Sequence, residues 1–344
     1  MTPFKSILAA TDFSASANNA VQRAALLARQ HGAHLCLVHV VTPPSRVQMR
    51  TWSSPAPGLE QQVAAARDRL RGLAAELTQR YAVTPSVALR TGRLLEQLHR
   101  VSARACLLVM GAGRRTALAE MLLGSTAQRL VACSRRPVLV AKQTAEGSYR
   151  RALVPIDFSP ASDAAAFVAA ALAPDIDLQV FHALDSAGVA ATQGAGIVDT
   201  VIRESIAHEE GAVLARMRRS MKRLGLDCSK LRFALGRGAP VNAILQQAQR
   251  LDADVLVATK QQRGRTATSV LGNISSLMAR SRCDMLVVAG WVRDPRQSCT
   301  VTAQGPLPRA EPVHARPDRS WMRAQLPADA CMAAQHGRPH RAGG

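Results

Sequence analysis

Short apolar runs alternate with amphipathic stretches along most of this chain. The first run, Phe4 to Thr11 (FKSILAAT), reads as a buried strand. From Ala17 to His31 apolar residues recur at helical spacing, with Ala20, Ala24, Leu27 and Ala28 on one face. Gly32 stops that helix, and Ala33 to Val41 predicts a second strand. Pro43, Pro44, Pro55 and Pro57 make Thr42 to Gly58 a loop. A long helix follows over Leu59 to Tyr81, then a strand over Thr84 to Arg90 and a helix over Leu94 to Ala103. Ala105 to Met110 (ACLLVM) is a buried strand, Ser125 to Ser134 a helix, and Val138 to Ala141 a closing strand. Such alternation predicts an α/β fold: a parallel sheet with helices on both faces.

The pattern then starts again. Arg151 to Ser159 echoes Lys5 to Ser14, and Asp157 repeats Asp12 ahead of a Phe-Ser pair. His182 answers His39 late in the second strand, Gly236 answers Gly92, and Gly272 answers Gly124. The four offsets are 145, 143, 144 and 148 positions, so the chain is an internal duplication. Its second copy places helices at Ala164 to Leu172, Ile197 to Leu224, Val241 to Arg250 and Leu271 to Arg280. Its later strands fall at Asp177 to Ala183, Leu231 to Leu235, Asp254 to Ala258 and Met285 to Ala289. The expected domains are 1–142 and 149–290, with a linker at 143–148. Residues 291–344, rich in Pro, Arg, Gly and Gln, read as a disordered basic tail with a short helix around Ser320 to Ala334.

Composition narrows the class. The 344 residues carry a formal charge of +20, so non-specific contact with polyanions is expected. Aromatics are only 3%, leaving few platforms for stacking exposed bases. No apolar run approaches the ~18 residues of a membrane span. Seven scattered cysteines without a CxxC pair argue against a disulfide framework or zinc site, and Cys36 and Cys106 read as core residues. The start of the chain does not match a secretory signal, and a reducing cytoplasm is expected.

Candidate chemistry concentrates in Met110 to Thr126 (MGAGRRTALAEMLLGST). A strand breaks into glycines and a basic loop, and Gly124-Ser125-Thr126 opens a helix. Glycines admit close backbone approach. Helix N-termini offer free N–H groups to phosphate, and Arg114 and Arg115 add bidentate donors. The same layout also suits an ordinary loop with a Ser/Thr cap.

On these residues each half resembles a universal stress protein (UspA-type) domain. The resemblance rests on Asp12-Phe13-Ser14 and Asp157-Phe158-Ser159, His39-Val40, Gly92-Arg93, Leu107 to Gly111, Leu123-Gly124-Ser125, and Arg136 to Val140. It implies two tandem Rossmann-like, adenine-nucleotide alpha-hydrolase-like domains, each a five-stranded parallel sheet in the order 3-2-1-4-5. A ligand crevice then falls outside the carboxyl ends of strands 1 and 4. By resemblance, Thr11 and Asp12 would lie near adenine and ribose, and Val40 would offer backbone contacts to adenine. Asp12 also suits the cap of the helix that begins at Ala15, a role compatible with the first. Gly111, Gly113, Arg114, Gly124, Ser125 and Thr126 would surround ribose and phosphates.

ATP, with magnesium accompanying it, would be the ligand of the first half. ATP-binding members resemble the pattern Gly, two residues, Gly, nine residues, Gly, then Ser or Thr. Here Arg114 stands at the second glycine and Gly113 one place earlier. Arg114 either blocks the phosphate or pairs with it. The second half has Thr259, Gln262, Gly272 and Asn273 at the matching positions and is expected to bind ATP weakly or not at all. The resemblance gives it the role of packing on the first half, a pseudo-dimer in place of the homodimer of single-domain relatives, with further homo-oligomerisation left open.

No Walker motif is present, and Glu120 is the only acid between Gly111 and Thr126. No Ser-His-Asp ordering stands out, and His39 and His182 read as satisfied core or rim residues. The expectation is an adenine-nucleotide-binding stress-response regulator or adaptor for a protein partner, without robust turnover. A slow ATPase or phosphoryl-transfer enzyme, and a ligand-free interaction module, are the alternatives.

Overall fold

The computed structural model describes residues 4–43, 58–113, 125–173, 175–184, 199–260 and 274–289. The first half runs β1 (Ser6–Ala10), α1 (Ala15–His31), β2 (His34–Val41), α2 (Leu59–Tyr81), β3 (Ser86–Thr91), α3 (Leu94–Ser102), β4 (Leu107–Gly111), α4 (Ser125–Cys133) and β5 (Val138–Ala141). The second half runs β6 (Arg151–Pro155), α5 (Pro160–Ala170), β7 (Asp177–Leu184), α6 (Asp199–Arg223), β8 (Leu231–Arg237), α7 (Pro240–Leu251), β9 (Val255–Lys260), α8 (Ile274–Arg280) and β10 (Asp284–Ala289). The long loop, the tail with its short helix, and most of the glycine-loop residues named above lie outside the described residues.

Within each half the strands are parallel and follow the order 3-2-1-4-5. The strand pattern left open how the halves meet. They form one ten-stranded sheet, β3-β2-β1-β4-β5-β10-β9-β6-β7-β8. At its centre β5 and β10 pair antiparallel, with Leu139 opposite Leu286. Alternation along each strand feeds two cores. Ile7 and Ala9 join Val21 and Leu27 of α1 and Met217 and Met221 of α6 on one face. Leu8 joins Leu98, Leu130, Ile244 and Leu277 of α3, α4, α7 and α8 on the other. Both cores run through the seam, so burial of apolar surface ties the halves together.

The helices begin where side chains can cap them. Ser14 accepts from the Ala17 N–H at 3.2 Å, and Gly32, at φ +58°, closes α1 onto the Ala28 and Arg29 carbonyls. α5 starts four residues ahead of its expected boundary, because Ser159 caps it and Pro160 takes the first turn, where its missing N–H is harmless.

A buried charge cluster locks the seam. Asp284, fully buried at the start of β10, accepts from the Lys142 and Gln143 N–H groups at 2.7 and 2.9 Å and from the Tyr149 hydroxyl at 2.6 Å. Arg23 of α1 stacks on the Tyr149 ring at 4.2 Å and faces Asp284 Oδ2 through Nε at 3.4 Å, an ion pair longer than a good hydrogen bond. Two lysines then cross between halves. Lys142 Nζ donates to the Met278 carbonyl in the last turn of α8 and to the Ser281 carbonyl just past it, at 2.5 and 2.8 Å. Lys260 does the same for α4.

Removing Asp284 takes the counter-charge from buried Arg23, which keeps the Gly147 and Thr144 carbonyls as acceptors, and the acceptor from the buried Tyr149 hydroxyl. Asp284→Ala should therefore lose about 3–5 kcal/mol in urea unfolding. Arg232→Ala, which breaks the exposed pair with Asp177, should lose no more than about 1 kcal/mol. Equal losses would refute the assignment of the seam cluster.

Burial also pushes the Lys142 ammonium down to about 8, against the opposing pull of Cys283 and Asp284. Below about pH 8 both folded and unfolded chains hold this proton, and burying it weighs against folding. As pH rises from 8 towards 10.5 the folded protein releases it first, so stability rises. The Cys283 thiol, pushed by burial from 9.0 up to about 11, acts in the opposite sense above pH 9. Burial raises the Tyr149 phenol too, and above pH 10 it adds to that opposing effect. Between pH 8 and 9 the wild type should gain on Lys142→Met by about 1 kcal/mol per pH unit, followed by urea titration. A pH-independent difference would refute this.

Candidate functional site

At the carboxyl edge of the sheet β1 ends in a tight turn. The Thr11 N–H donates to the Val38 carbonyl at 2.9 Å, and its Oγ1 accepts from the Phe13 N–H at 2.9 Å. Asp12 Oδ1 accepts from the Ser14 N–H at 3.0 Å. Asp12 was expected to double as the cap of α1; the cap is Ser14, and Asp12 instead shapes the turn before it. Asp157 and Ser159 divide the same tasks in the second half.

This turn carries strain. Phe13 sits at φ +62°, a left-handed conformation that costs a non-glycine residue on the order of 1 kcal/mol. Its ring is held between the His39 imidazole, centroids 4.6 Å apart, and the Arg69 guanidinium at 4.2 Å. His39 Nδ1 lies 2.8 Å from the Thr11 carbonyl. A carbonyl only accepts, so Nδ1 carries the hydrogen and donates. The arrangement recurs with Phe158 at φ +61°, His182 at 4.7 Å and Arg216 at 4.0 Å, and His182 Nδ1 lies 2.7 Å from the Ile156 carbonyl. Sequence reasoning placed the histidines as satisfied core or rim residues but missed both arginines. Their separation of 147 positions belongs with the other repeat offsets and is the signal that points to them.

β2 runs on past the end of β1. The β1 register closes at Ala10 opposite Val38. Peptide groups alternate sides along a strand, so Val40, like Val38, aims its N–H and carbonyl towards the β1 side, beyond the last β1 residue. On its other flank β2 pairs with β3, where Val40 stands opposite Arg90. Val40 itself is buried.

β4 ends in Gly111 against the first turn of α1. A Cβ there would stand 2.5 Å from Ser16 Oγ and 2.6 Å from the Ser16 carbonyl oxygen. Two residues on, Gly113 adopts φ +97°, outside the range of ordinary side chains. Parallel strands end on one edge, so Thr11, Asp12, Val40, Gly111 and Gly113 share this crest. The chain leaves β4 at the crest and returns through α4, so the helix start, Ser125 and half-buried Thr126, begins there as well. Arg114 and Gly124 lie outside the described residues, as does the Ser125 side chain.

The second crest differs where it matters for a ligand. Thr259 occupies the place of Gly111 and is fully buried, and its hydroxyl has no partner among the described residues. Gln262, Gly272 and Asn273 lie outside the described residues. Among the described residues no group of three or more His, Cys, Asp or Glu is placed to hold a metal ion, and no helix is long and apolar enough to cross a membrane.

The universal stress protein family model matches residues 3–142 and again residues 148–289. The chain belongs to the universal stress protein family. It is 28% identical over 291 residues to a universal stress protein of Mycolicibacterium smegmatis, covering 82% of this chain and 96% of that one. Its fold is similar to a crystal structure of an Archaeoglobus fulgidus universal stress protein, with a TM-score of 0.60, 18% identity, and coverage of 83% of this chain and 96% of that one. It is also similar to a functionally unknown Pseudomonas aeruginosa PAO1 protein, with a TM-score of 0.54, 19% identity, and coverage of 87% and 97%. A tandem universal stress protein architecture thus accounts for both halves of the sheet.

Gly111→Ala tests the fit between β4 and α1. The added methyl forces Ser16 away and should lower stability by about 1–3 kcal/mol in thermal or urea unfolding. An unchanged midpoint would show that the approach at Gly111 is not close.

Proposed function

We propose that this universal stress protein binds an adenine nucleotide, ATP, at the crest of its first half and acts as a nucleotide-responsive regulator or adaptor. The observation that carries the reading is the crest itself: the peptide edge of Val40 extends beyond β1, beside the Thr11–Asp12 turn and two glycines at the end of β4. Val40 supplies the donor and acceptor pair that the edge of adenine matches. Asp12 and Thr11 stand where a ribose would lie. Gly113 leaves the backbone bare for close approach, Gly111 lets the end of β4 sit tight against α1 beneath it, and the start of α4 offers free N–H groups to phosphates. The donor set suits a nucleotide without a protein cage for metal, so magnesium would arrive on the phosphates.

In the second half buried Thr259 stands in place of Gly111 and the matching glycine pattern is lost, so that crest is proposed to hold no nucleotide. The bound and empty states of the first crest would offer different surfaces to a protein partner through the segment from Arg114 to Leu123. With one acid in that segment and no Walker lysine, turnover is not part of the proposal.

The test is direct. Heat-denatured purified protein should release adenine nucleotide, and calorimetry on stripped protein should show one ATP per chain. Gly124→Arg should weaken ATP by roughly ten-fold or more, equivalent to about 1.4 kcal/mol. Arg114→Gly separates the two roles of that residue: tighter ATP means the side chain obstructs, weaker ATP means it pairs with phosphate. Protein that neither releases nor binds nucleotide overturns the reading, and phosphate release above the Gly124→Arg level would make it an ATPase instead.

A further inference from the structure

β9 ends in Thr259 and Lys260 at the crest of the second half, where the first half has Gly111 and Ala112. The Lys260 side chain leaves its own half. Its Nζ lies 3.1 Å from the Val131 carbonyl and 2.9 Å from the Ala132 carbonyl, and it also donates to the Ser134 carbonyl. These are the last carbonyls of α4 and the one just past it, which have no partner within the helix. An ammonium there also meets the negative end of the helix dipole. Burial lowers the Lys260 ammonium from its ordinary value, so the group gives up hydration to make this contact. The matching residue in the first half, Ala112, has no side chain to reach anything.

α8 is held in the same manner from a different place. Lys142, just past β5, binds the Met278 and Ser281 carbonyls and the Ser281 hydroxyl. Each half thus secures the last helix of the other with a lysine, from positions that the duplication does not relate. The two helices differ in what lies at their opposite ends. α8 follows the crest where β9 ends in buried Thr259. α4 starts at Ser125, on the crest with Gly111 and Gly113. α4 has only nine residues, about 13 Å of helix, so fixing its last turn fixes the direction of its first.

We propose that Lys260 is a positioning residue for the nucleotide site of the first half. The second half completes that site from across the seam by holding the carboxyl end of α4, so that the free N–H groups at its start are aimed at phosphate. This rests on the reading that ATP phosphates lie at the start of α4. It assigns a task to a half that has lost its own glycine: it supplies the anchor and the counter-charge.

The experiment uses the full chain and four variants, Lys260→Met, Lys260→Gln, Lys260→Arg and Lys142→Met, each tested with ATP and with adenosine by calorimetry. Lys260→Met should weaken ATP roughly five-fold while changing adenosine less than about two-fold, because only the phosphates depend on α4. Lys260→Arg should restore most of the ATP affinity. Lys142→Met, which uncaps the other helix, should leave both affinities unchanged. Amide hydrogen exchange without nucleotide should quicken along α4 in Lys260→Met. Should that variant fail to fold, Lys260→Gln carries the same comparison.

Equal weakening of ATP and adenosine, an unchanged ATP affinity, an equal effect of Lys142→Met, or unchanged exchange in α4 each overturn this inference while leaving ATP binding intact. Wild-type protein that binds neither ligand overturns the functional reading, and this inference with it.

Discussion

Everything in this structure depends on one buried carboxylate being satisfied. Asp284 stands at the start of the central β10, out of reach of water, and an unpaired charge there would be expensive. Its partners come from three places: the peptide groups just past β5, the Tyr149 hydroxyl and the Arg23 guanidinium. No one of these segments can satisfy it alone. Asp284 is content only when β5, the segment leading to β6, and α1 have all arrived. The antiparallel register of β5 with β10 follows, and from it a single sheet with cores on both faces. A buried charge of this kind adds little stability over a well-packed apolar group. Its effect is selective, because it singles out one way of joining the halves.

Once the seam is set, the crests on either side take up fixed positions. Each is built on the same frame: an Asp-Phe-Ser turn, a strained phenylalanine between an imidazole and a guanidinium, and a histidine donating to the carbonyl at the end of the first strand. The frame survives in both copies even though the glycines do not. Its task is therefore separable from ligand binding: it stabilises a left-handed turn that ends a strand and starts a helix within a few residues.

Much of this was legible in the chain. Strand alternation, helical spacing and the repeat offset located the elements to within a few residues, and the resemblance to universal stress protein domains implied the strand order in each half. Misses cluster where partners are distant in sequence. Asp284 looks like the solvated start of a strand, since it adjoins an apolar run and nothing in that run reports Tyr149 or Arg23. Arg69 and Arg216 lie on polar faces of long helices, where arginine is ordinary. Asp12 was read as a helix cap because aspartate is a good cap; Ser14, two residues on, has the extended backbone that a cap requires. Of the candidate site, the strand-end residues followed from topology, while the backbone role of Val40 came only from the resemblance; the end of β1 at Ala10, opposite Val38, gives it a geometric basis.

The covalent joining of two copies has an evolutionary consequence. In an assembly of identical subunits every substitution appears twice, on both sides of the symmetry axis, and a change that suits one crest must be tolerated at the other. In this chain the two crests are encoded separately. A threonine can stand at one while a glycine is kept at the other, and a lysine can appear beside the threonine without its twin intruding at Ala112. The duplication thus released each crest from the constraint of its mirror image, and division of labour between once-identical parts became accessible through single substitutions.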